Sequence, residues 1–379
     1  MSYRELKEEN SRRLRRDIAE RRTVFEGLPE IVNFQHSSVC NLRCVMCYQA
    51  YKPGRRTIPL DRSLEILDEV LPTARKLKLT TAGEPIIGPF DRFVAKAREY
   101  ECKLELITNA TRLTPERFAL MEDILDQIVV SLDSHEEEAL DKVRGRGVHR
   151  RIMRNFESLG KYLEGRPKGY IFAYHMVLMK TTAPTLPGFV EFARHTGADL
   201  VKVLRMHYIT PQLRDEECPF HAMPREELDR HVQEAQRKAH DLGVNLVLDE
   251  VGYENVWSTP VRATYPGDIP TDACRMMMQE VYIQPNQAIW PCCIPGDLEM
   301  GSIRRKAFRE VWNGRPYRRL RAQMFSRKLV GPCARCKLYN ARNDDEAYDF
   351  LPGSRTLRGF KRMAFLRRLV DRYRGPVSD

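Results

Sequence analysis

Residues 31–49 read IVNFQHSSVCNLRCVMCYQ, a short apolar run followed by Cys40, Cys44 and Cys47 in the spacing C-x3-C-x2-C. Three thiolates this close suit an iron–sulfur cluster with one iron left unligated by protein, where a reacting molecule can bind. A second set lies far downstream: Cys274, Cys292 or Cys293, Cys333 and Cys336. It supplies four thiolates for another cluster. The chain thus reads as a redox enzyme with two metal centres.

The rest of the composition agrees with a globular enzyme. The chain has 379 residues, 42% of them apolar, enough for one large core plus a small annex. No stretch approaches the length of apolar sequence that spans a bilayer. The start, MSYRELKEENSRRLRRD, is charged and has no apolar segment of a secretory signal. Ten cysteines in this setting point to metal sites and a reducing cytoplasm rather than to disulfides. The net charge of +11 could draw in phosphate, nucleic acid or acidic membrane. No recognisable nucleic-acid module accompanies it, which argues against nucleic acid as the partner.

Working outward from residue 31, strand and helix patterns alternate. Strands are expected at 31–35, 76–80, 103–108, 127–132, 170–179, 200–207 and 244–248. Helices are expected at 60–71, 90–100, 114–125, 140–162, 186–196 and 224–242. Such alternation makes βα units and a parallel sheet. The fold class is α/β, a partial (β/α)6 TIM barrel with a small C-terminal iron–sulfur domain. Function then belongs at the C-terminal strand ends. The expected divisions are a charged helical extension at 1–30, the barrel at 31–248, a linker at 249–270, the annex at 271–345 and a basic tail at 346–379. Within the annex, VYI, PNQ and AIW read as a hairpin, and 304–327 as a helical stretch.

The C-x3-C-x2-C triplet after the first strand resembles that of the radical S-adenosylmethionine (SAM) superfamily. Gly83, Glu84 and Pro85 after the second strand, LITNAT ending the third and VVSLDS ending the fourth strengthen the match over 31–210. Met46 departs from the pattern, since an aromatic residue often precedes the last cysteine; Tyr48 lies just beyond. The resemblance implies a [4Fe–4S] cluster whose open iron chelates SAM, and reductive cleavage to a 5′-deoxyadenosyl radical that takes hydrogen from substrate. It implies a flavodoxin or ferredoxin-type reductant. It also assigns Gly83, Glu84 and Pro85 to the methionyl amine, with Glu84 orienting the loop. Ser131 and Asp133 fall to the ribose hydroxyls, Asn109 to the methionine carboxylate or the substrate, and Arg144 to a carboxylate clamp. His175, Lys180, Arg205, His207 and Tyr208 are candidates to line the barrel or its mouth, and His175, Lys180, His207 and Tyr208 are the catalytic candidates among them.

Downstream, VYIQPNQAIWPCC, GSIRRKAFREVWNG and CARC resemble the SPASM/twitch extension of the same superfamily. That implies one auxiliary [4Fe–4S] cluster on Cys274, Cys292, Cys333 and Cys336. The spacing is similar to that of the aminocyclitol dehydrogenase of butirosin biosynthesis. It favours Cys292 over Cys293, and the choice stays open. The leading expectation is oxidation of a secondary alcohol on a sugar, aminocyclitol or nucleoside in natural-product biosynthesis, with the auxiliary cluster taking an electron. One alternative is epimerisation with Cys218 as hydrogen donor and Cys293 as a lesser candidate. Others are peptide maturation and noncatalytic electron transfer. Cys102, before the third strand, reads as structural. The basic stretch 357–375 could form an amphipathic helix that meets an acidic partner or a membrane surface.

Overall fold

The computed structural model describes residues 1–47, 54–79, 83–206, 210–258, 274–293 and 298–336. The tail from 346 and the pair His207 and Tyr208 lie outside them. No helix among the described residues is long and apolar enough to cross a membrane.

Helix α1 (Tyr3–Ala19) precedes strand β1 (Ile31–Phe34). There follow α2 (Leu60–Val70), β2 (Lys76–Leu79), α3 (Phe90–Glu99), β3 (Lys103–Thr108), α4 (Pro115–Ala119) and β4 (Leu125–Ser131). Next come α5 (Glu137–Arg144), α6 (Val148–Leu163), β5 (Ile171–Leu178), α7 (Leu186–His195) and β6 (Leu200–Arg205). The barrel half ends with α8 (Pro211–Glu217), α9 (Pro219–Ala222), α10 (Arg225–Leu242) and β7 (Asn245–Val247). All seven strands are parallel and pair in chain order.

Two helices differ from expectation. The stretch expected at 114–125 is helical only over α4. Main-chain bonds from Met121 to Phe118 and from Ile124 to Met121 turn the chain, and Leu104 N–H then takes the Ile124 carbonyl into the sheet. The stretch 140–162 is two helices because Gly145 (φ 117°) and Gly147 (φ 75°) put left-handed backbone between them.

Alternate strand residues part to two faces. Val32, Leu77, Leu104, Val130, Met176 and Val201 join the continuous apolar core beneath the helices. Their neighbours Asn33, Lys78, Glu105, Ser131, His175 and Lys202 line the opposite face, the barrel lumen. That face is polar, which is why these parallel strands alternate rather than run apolar throughout. Lys76 pairs with Asp126 at 2.6 Å and Lys78 with Glu105 at 3.3 Å. The register slips between Leu104 and Glu105, which oppose Leu125 and Gln127, so that Asp126 is the extra residue of a bulge.

The C-terminal annex is built into this sheet. After α11 (Arg275–Gln279) come β8 (Glu280–Ile283), β9 (Ala288–Trp290), β10 (Gly301–Ser302), α12 (Phe308–Trp312) and α13 (Arg315–Phe325). Strand β8 pairs parallel with β1, Ile31 opposite Glu280 and Phe34 opposite Ile283. The sheet therefore has ten strands in the order β10-β9-β8-β1-β2-β3-β4-β5-β6-β7. Gln287 closes the β8–β9 turn with φ 61°. The helical stretch expected at 304–327 starts only at Phe308 and breaks at Asn313 and Gly314.

Residues 23–28 strap α1 to the annex. Gly27 N–H donates to Asp17 at 2.8 Å, and Trp312 Nε1 donates to the Gly27 carbonyl at 3.0 Å. A Cβ at Gly27 would meet Leu14 N at 2.5 Å. The N-terminal extension is thus packed structure, with Asn10, Ser11 and Asp17 buried.

Candidate active site

The first three cysteines leave the C-terminal end of β1 on a loop held by its neighbours. Val45 N–H bonds the Val143 carbonyl at 2.9 Å, and Asn41 Nδ2 donates to Thr111 Oγ1 at 2.8 Å. Leu42 N–H points at Cys40 Sγ at 3.4 Å. Burial pushes the Cys44 thiol up to about 11, with Arg144 opposing the rise and Cys40 and Cys47 adding to it. The three thiols therefore share one neighbourhood.

The turn at 83–85 lies directly on this loop. Glu84 N–H donates to the Val39 carbonyl at 2.9 Å, and a Cβ on Gly83 would sit 2.2 Å from that same oxygen. Only glycine permits the approach. Glu84 is buried and accepts from Thr108 Oγ1 at 2.6 Å, Asn109 N–H at 2.7 Å and Ile86 N–H at 3.3 Å. Burial raises its pKa against the pull of those donors. A cleft of about 300 Å³ opens beside the turn, lined by Gln35, His36, Ser37, Gly83, Glu84 and Phe93 among others.

Several expected ligand residues are committed elsewhere. Asp133, expected at a ribose hydroxyl, is fully buried and accepts from Arg144 Nε at 2.6 Å and Val177 N–H at 2.9 Å. Each of its oxygens thus already has one donor. Asn109 Nδ2 points at Asn41 Oδ1 at 3.0 Å and Cys40 Sγ at 3.7 Å, and its Oδ1 takes Thr111 Oγ1. It braces the cysteine loop. Arg144 is buried and salt-bridged to Asp133; burial opposes its charge, but Asp133, Cys44 and Cys40 together keep it firmly protonated. Ser131 stays half-buried at its strand end beside His175.

In the annex, Cys274 precedes α11, Cys292 follows β9, and Cys333 and Cys336 sit in the turn at Gly331–Arg335 and just past it. Burial pushes the Cys333 thiol up to about 11, with Cys274 and Cys336 adding to the rise. Cys292 is buried and acts on Tyr317 of α13. The Cys293 thiol interacts with Glu280 and Tyr282 of β8 and with Lys202 of β6, and the residue is exposed. Of the two adjacent cysteines, Cys292 is buried and Cys293 exposed.

Family comparison agrees with this layout. The radical SAM superfamily matches residues 34–193, and the iron–sulfur cluster-binding SPASM domain matches 274–337. The chain is a radical SAM protein with a SPASM domain. The AdoMet-dependent heme synthase of Methanosarcina barkeri is 23% identical to it over 343 residues, 83% of this chain and 90% of that protein. The structure of Streptococcus suis SuiB bound to S-adenosylmethionine superposes with a TM-score of 0.59 at 17% identity, over 83% of this chain and 72% of that one. The complex of BtrN with AdoMet and 2-DOIA is a looser likeness, with a TM-score of 0.44 at 13% identity over 79% of this chain and 88% of that one.

A radical SAM protein with a SPASM domain takes SAM and [4Fe–4S] clusters as cofactors. The residues present fit them. The first loop offers three neighbouring thiols, a buried guanidinium against them and a glycine turn pressed onto their backbone. No three His, Cys, Asp or Glu side chains among the described residues close around a single ion; a multi-iron cluster instead takes its thiolates on separate irons.

The remaining candidates divide. His175 faces the lumen, and burial, with Lys202 beside it, lowers its pKa to about 3, so its ring is neutral at pH 7. Lys180, just past the end of β5, is exposed. Arg205 covers the Phe220 ring at 5.5 Å. Cys218 is buried between α8 and α9 with Val143, Met179, Met206 and Leu213, against Val45 and Met46 of the cysteine loop. Cys102 is buried under α1, where Lys7 Nζ lies 3.5 Å from its sulfur. Sequence reading missed Glu280, Tyr282 and Lys202 as lumen groups. The alternation E-V-Y-I in β8 was the available signal.

Proposed function

We propose that this radical SAM protein oxidises a secondary alcohol of a small polar molecule, a sugar, aminocyclitol or nucleoside. The carrying observation is that β8 joins the barrel wall. The hairpin that bears Cys292 therefore also lines the polar lumen. Bound to these residues, SAM and the first cluster supply a hydrogen-abstracting radical, and the auxiliary cluster supplies an electron acceptor. The protein's own part is to hold the alcohol and take its proton. Tyr282 bonds both the Cys293 thiol and Glu280, at 3.2 Å from Glu280 Oε2. A hydroxyl proton released beside Cys293 would pass through the phenol to that carboxylate.

Cys218 supports a second reading, epimerisation. It packs against the cysteine loop, and burial raises its pKa, so it stays a thiol that can give a hydrogen atom. The reconstituted protein, given SAM and dithionite, should form 5′-deoxyadenosine. A panel of sugars, aminocyclitols, nucleosides, a tetrapyrrole and a peptide should then be screened by mass in D2O. Loss of two hydrogens from an alcohol supports oxidation. Unchanged composition with one carbon-bound deuterium supports epimerisation. Turnover of only the tetrapyrrole or peptide sinks both.

A further inference from the structure

The net charge is concentrated in the annex. Residues 301–330 hold ten Lys and Arg against one acid, Glu310, while over the rest of the chain the two signs nearly cancel. Arg321 is buried among the rings of Phe25, Trp312 and Tyr317; the other nine cations are exposed. On α13 the side chains of Tyr317, Leu320 and Met324 are buried, and Arg315, Arg318 and Arg319 share the outer face, as the i, i+3, i+4 spacing requires. Elsewhere cations are neutralised locally: Arg4, Arg12, Arg13 and Arg16 of α1 each pair with a Glu. Among the described residues none of the nine exposed cations of the annex segment has a carboxylate partner.

The basic segment ends at the auxiliary cysteines. Arg327 and Lys328 follow α13, and Val330 after them is 52% exposed. The turn Gly331–Arg335 begins at the next residue and carries Cys333. A small apolar contact rimmed by charge is the makeup of a transient redox interface. Unpaired like charges raise the potential over that surface and draw in an anionic partner. A helix that lies on a bilayer keeps its apolar face for lipid; that of α13 is already packed, with the ring centres of Tyr317 and Trp312 4.6 Å apart. Single-stranded nucleic acid is held by exposed rings, whereas Phe308, Trp312 and Tyr317 are all buried. The surface therefore fits an acidic protein.

We propose that the outer face of α13, continued by Arg327, Lys328 and Val330, docks a small acidic protein that carries one electron at a time. SAM cleavage consumes an electron from outside the chain, and this surface brings its carrier to the Cys333 and Cys336 turn. The inference does not depend on which substrate is oxidised.

The test uses the full-length protein with both clusters loaded. A purified acidic flavodoxin and an acidic [2Fe–2S] ferredoxin are the probes, and interferometry reads binding. At least one carrier should bind, and about tenfold more weakly at about 0.3 M than at about 0.05 M salt. Arg315→Glu, Arg318→Glu and Arg319→Glu together should weaken binding by at least about tenfold at the lower salt, with iron content unchanged. Their SAM cleavage should match the parent with dithionite and fall with the carrier as donor. Val330→Asp should weaken binding as well, and it decides the matter if the triple variant fails to fold. The same charge change on another exposed surface, Arg150→Glu, Arg151→Glu and Arg154→Glu of α6, should leave binding unchanged. Absence of binding by both carriers, or equal loss in the two triple variants, overturns the proposal. So does an oligonucleotide or a phosphatidylserine vesicle whose binding the α13 reversals abolish while carrier binding persists. Failure of the whole panel of alcohols would leave these binding constants untouched, so the two readings fail separately.

Discussion

The two sulfur sites are supported by different physics. The first is braced by polar bonds: Glu84 accepts from three donors, Asn109 ties Cys40 to Asn41, and Asp133 fixes Arg144. The second is set against packed rings, with Trp312, Tyr317 and Phe25 around Arg321. The first is a loop at strand ends, where a small molecule must enter and leave. The second is a hairpin and two helices clamped to α1, suited to a closed cluster that stays put. Polar bracing can be undone at one site without unfolding the barrel; the aromatic clamp cannot.

The largest effect should come from replacing Cys40, Cys44 and Cys47 together by Ala. Iron should fall from about eight to about four per chain, the content of one remaining [4Fe–4S] cluster, and SAM cleavage should stop. A fall to zero would show that the two sites load together and would break the comparison. Gly83→Ala is next. Its Cβ would lie 2.2 Å from the Val39 carbonyl, so the turn must move off the loop. SAM cleavage should drop at least tenfold while auxiliary iron stays, as read by deoxyadenosine formation and iron analysis.

Trp312→Ala should cost about 3–5 kcal/mol, as loss of a large buried ring does. It also leaves the Gly27 carbonyl without its 3.0 Å donor. Denaturant unfolding should show the loss, and both clusters should load poorly because the strap joins α1 to the annex. Glu84→Gln should cost less, about 1–3 kcal/mol for a mismatched buried acceptor, and should reduce iron only at the first site. Equal loss at both sites would erase the distinction between polar bracing and aromatic clamp.

A pH dependence tests the barrel lumen, apart from both sulfur sites. His175 has a folded pKa of about 3 against an ordinary 6.5, because burial and Lys202 disfavour its charge. The unfolded chain therefore takes up the proton first, and stability present above pH 6.5 is lost progressively as pH falls toward 3. His175→Asn should flatten the fall in thermal midpoint between pH 6.5 and 4. A variant as acid-sensitive as the parent would show that this imidazole is not the group responsible.

Much of this was legible in the chain itself. Period-two and period-3.6 patterns set the βα order, since each strand must bury one face beneath a helix of matching stripe. The C-x3-C-x2-C spacing marked the first sulfur site, because thiolates close in sequence can reach one cluster with little help from the fold; the second set, spread over 274–336, was legible only through its resemblance to a known cluster-binding extension. The roles of Asp133 and Asn109 were not legible. Both are plausible ligand groups at strand ends, and only the fold brings Arg144 and Val177 N–H to Asp133 and Asn41 to Asn109. Nor could sequence tell that Cys292 is buried while Cys293 is exposed, that β8 adds to β1, or that Arg321 sits among rings contributed by residues 25, 312 and 317. Those facts depend on contacts between segments some 250 to 300 residues apart. Local sequence encodes local geometry; what a buried charge faces is decided by the partners that long-range packing brings to it.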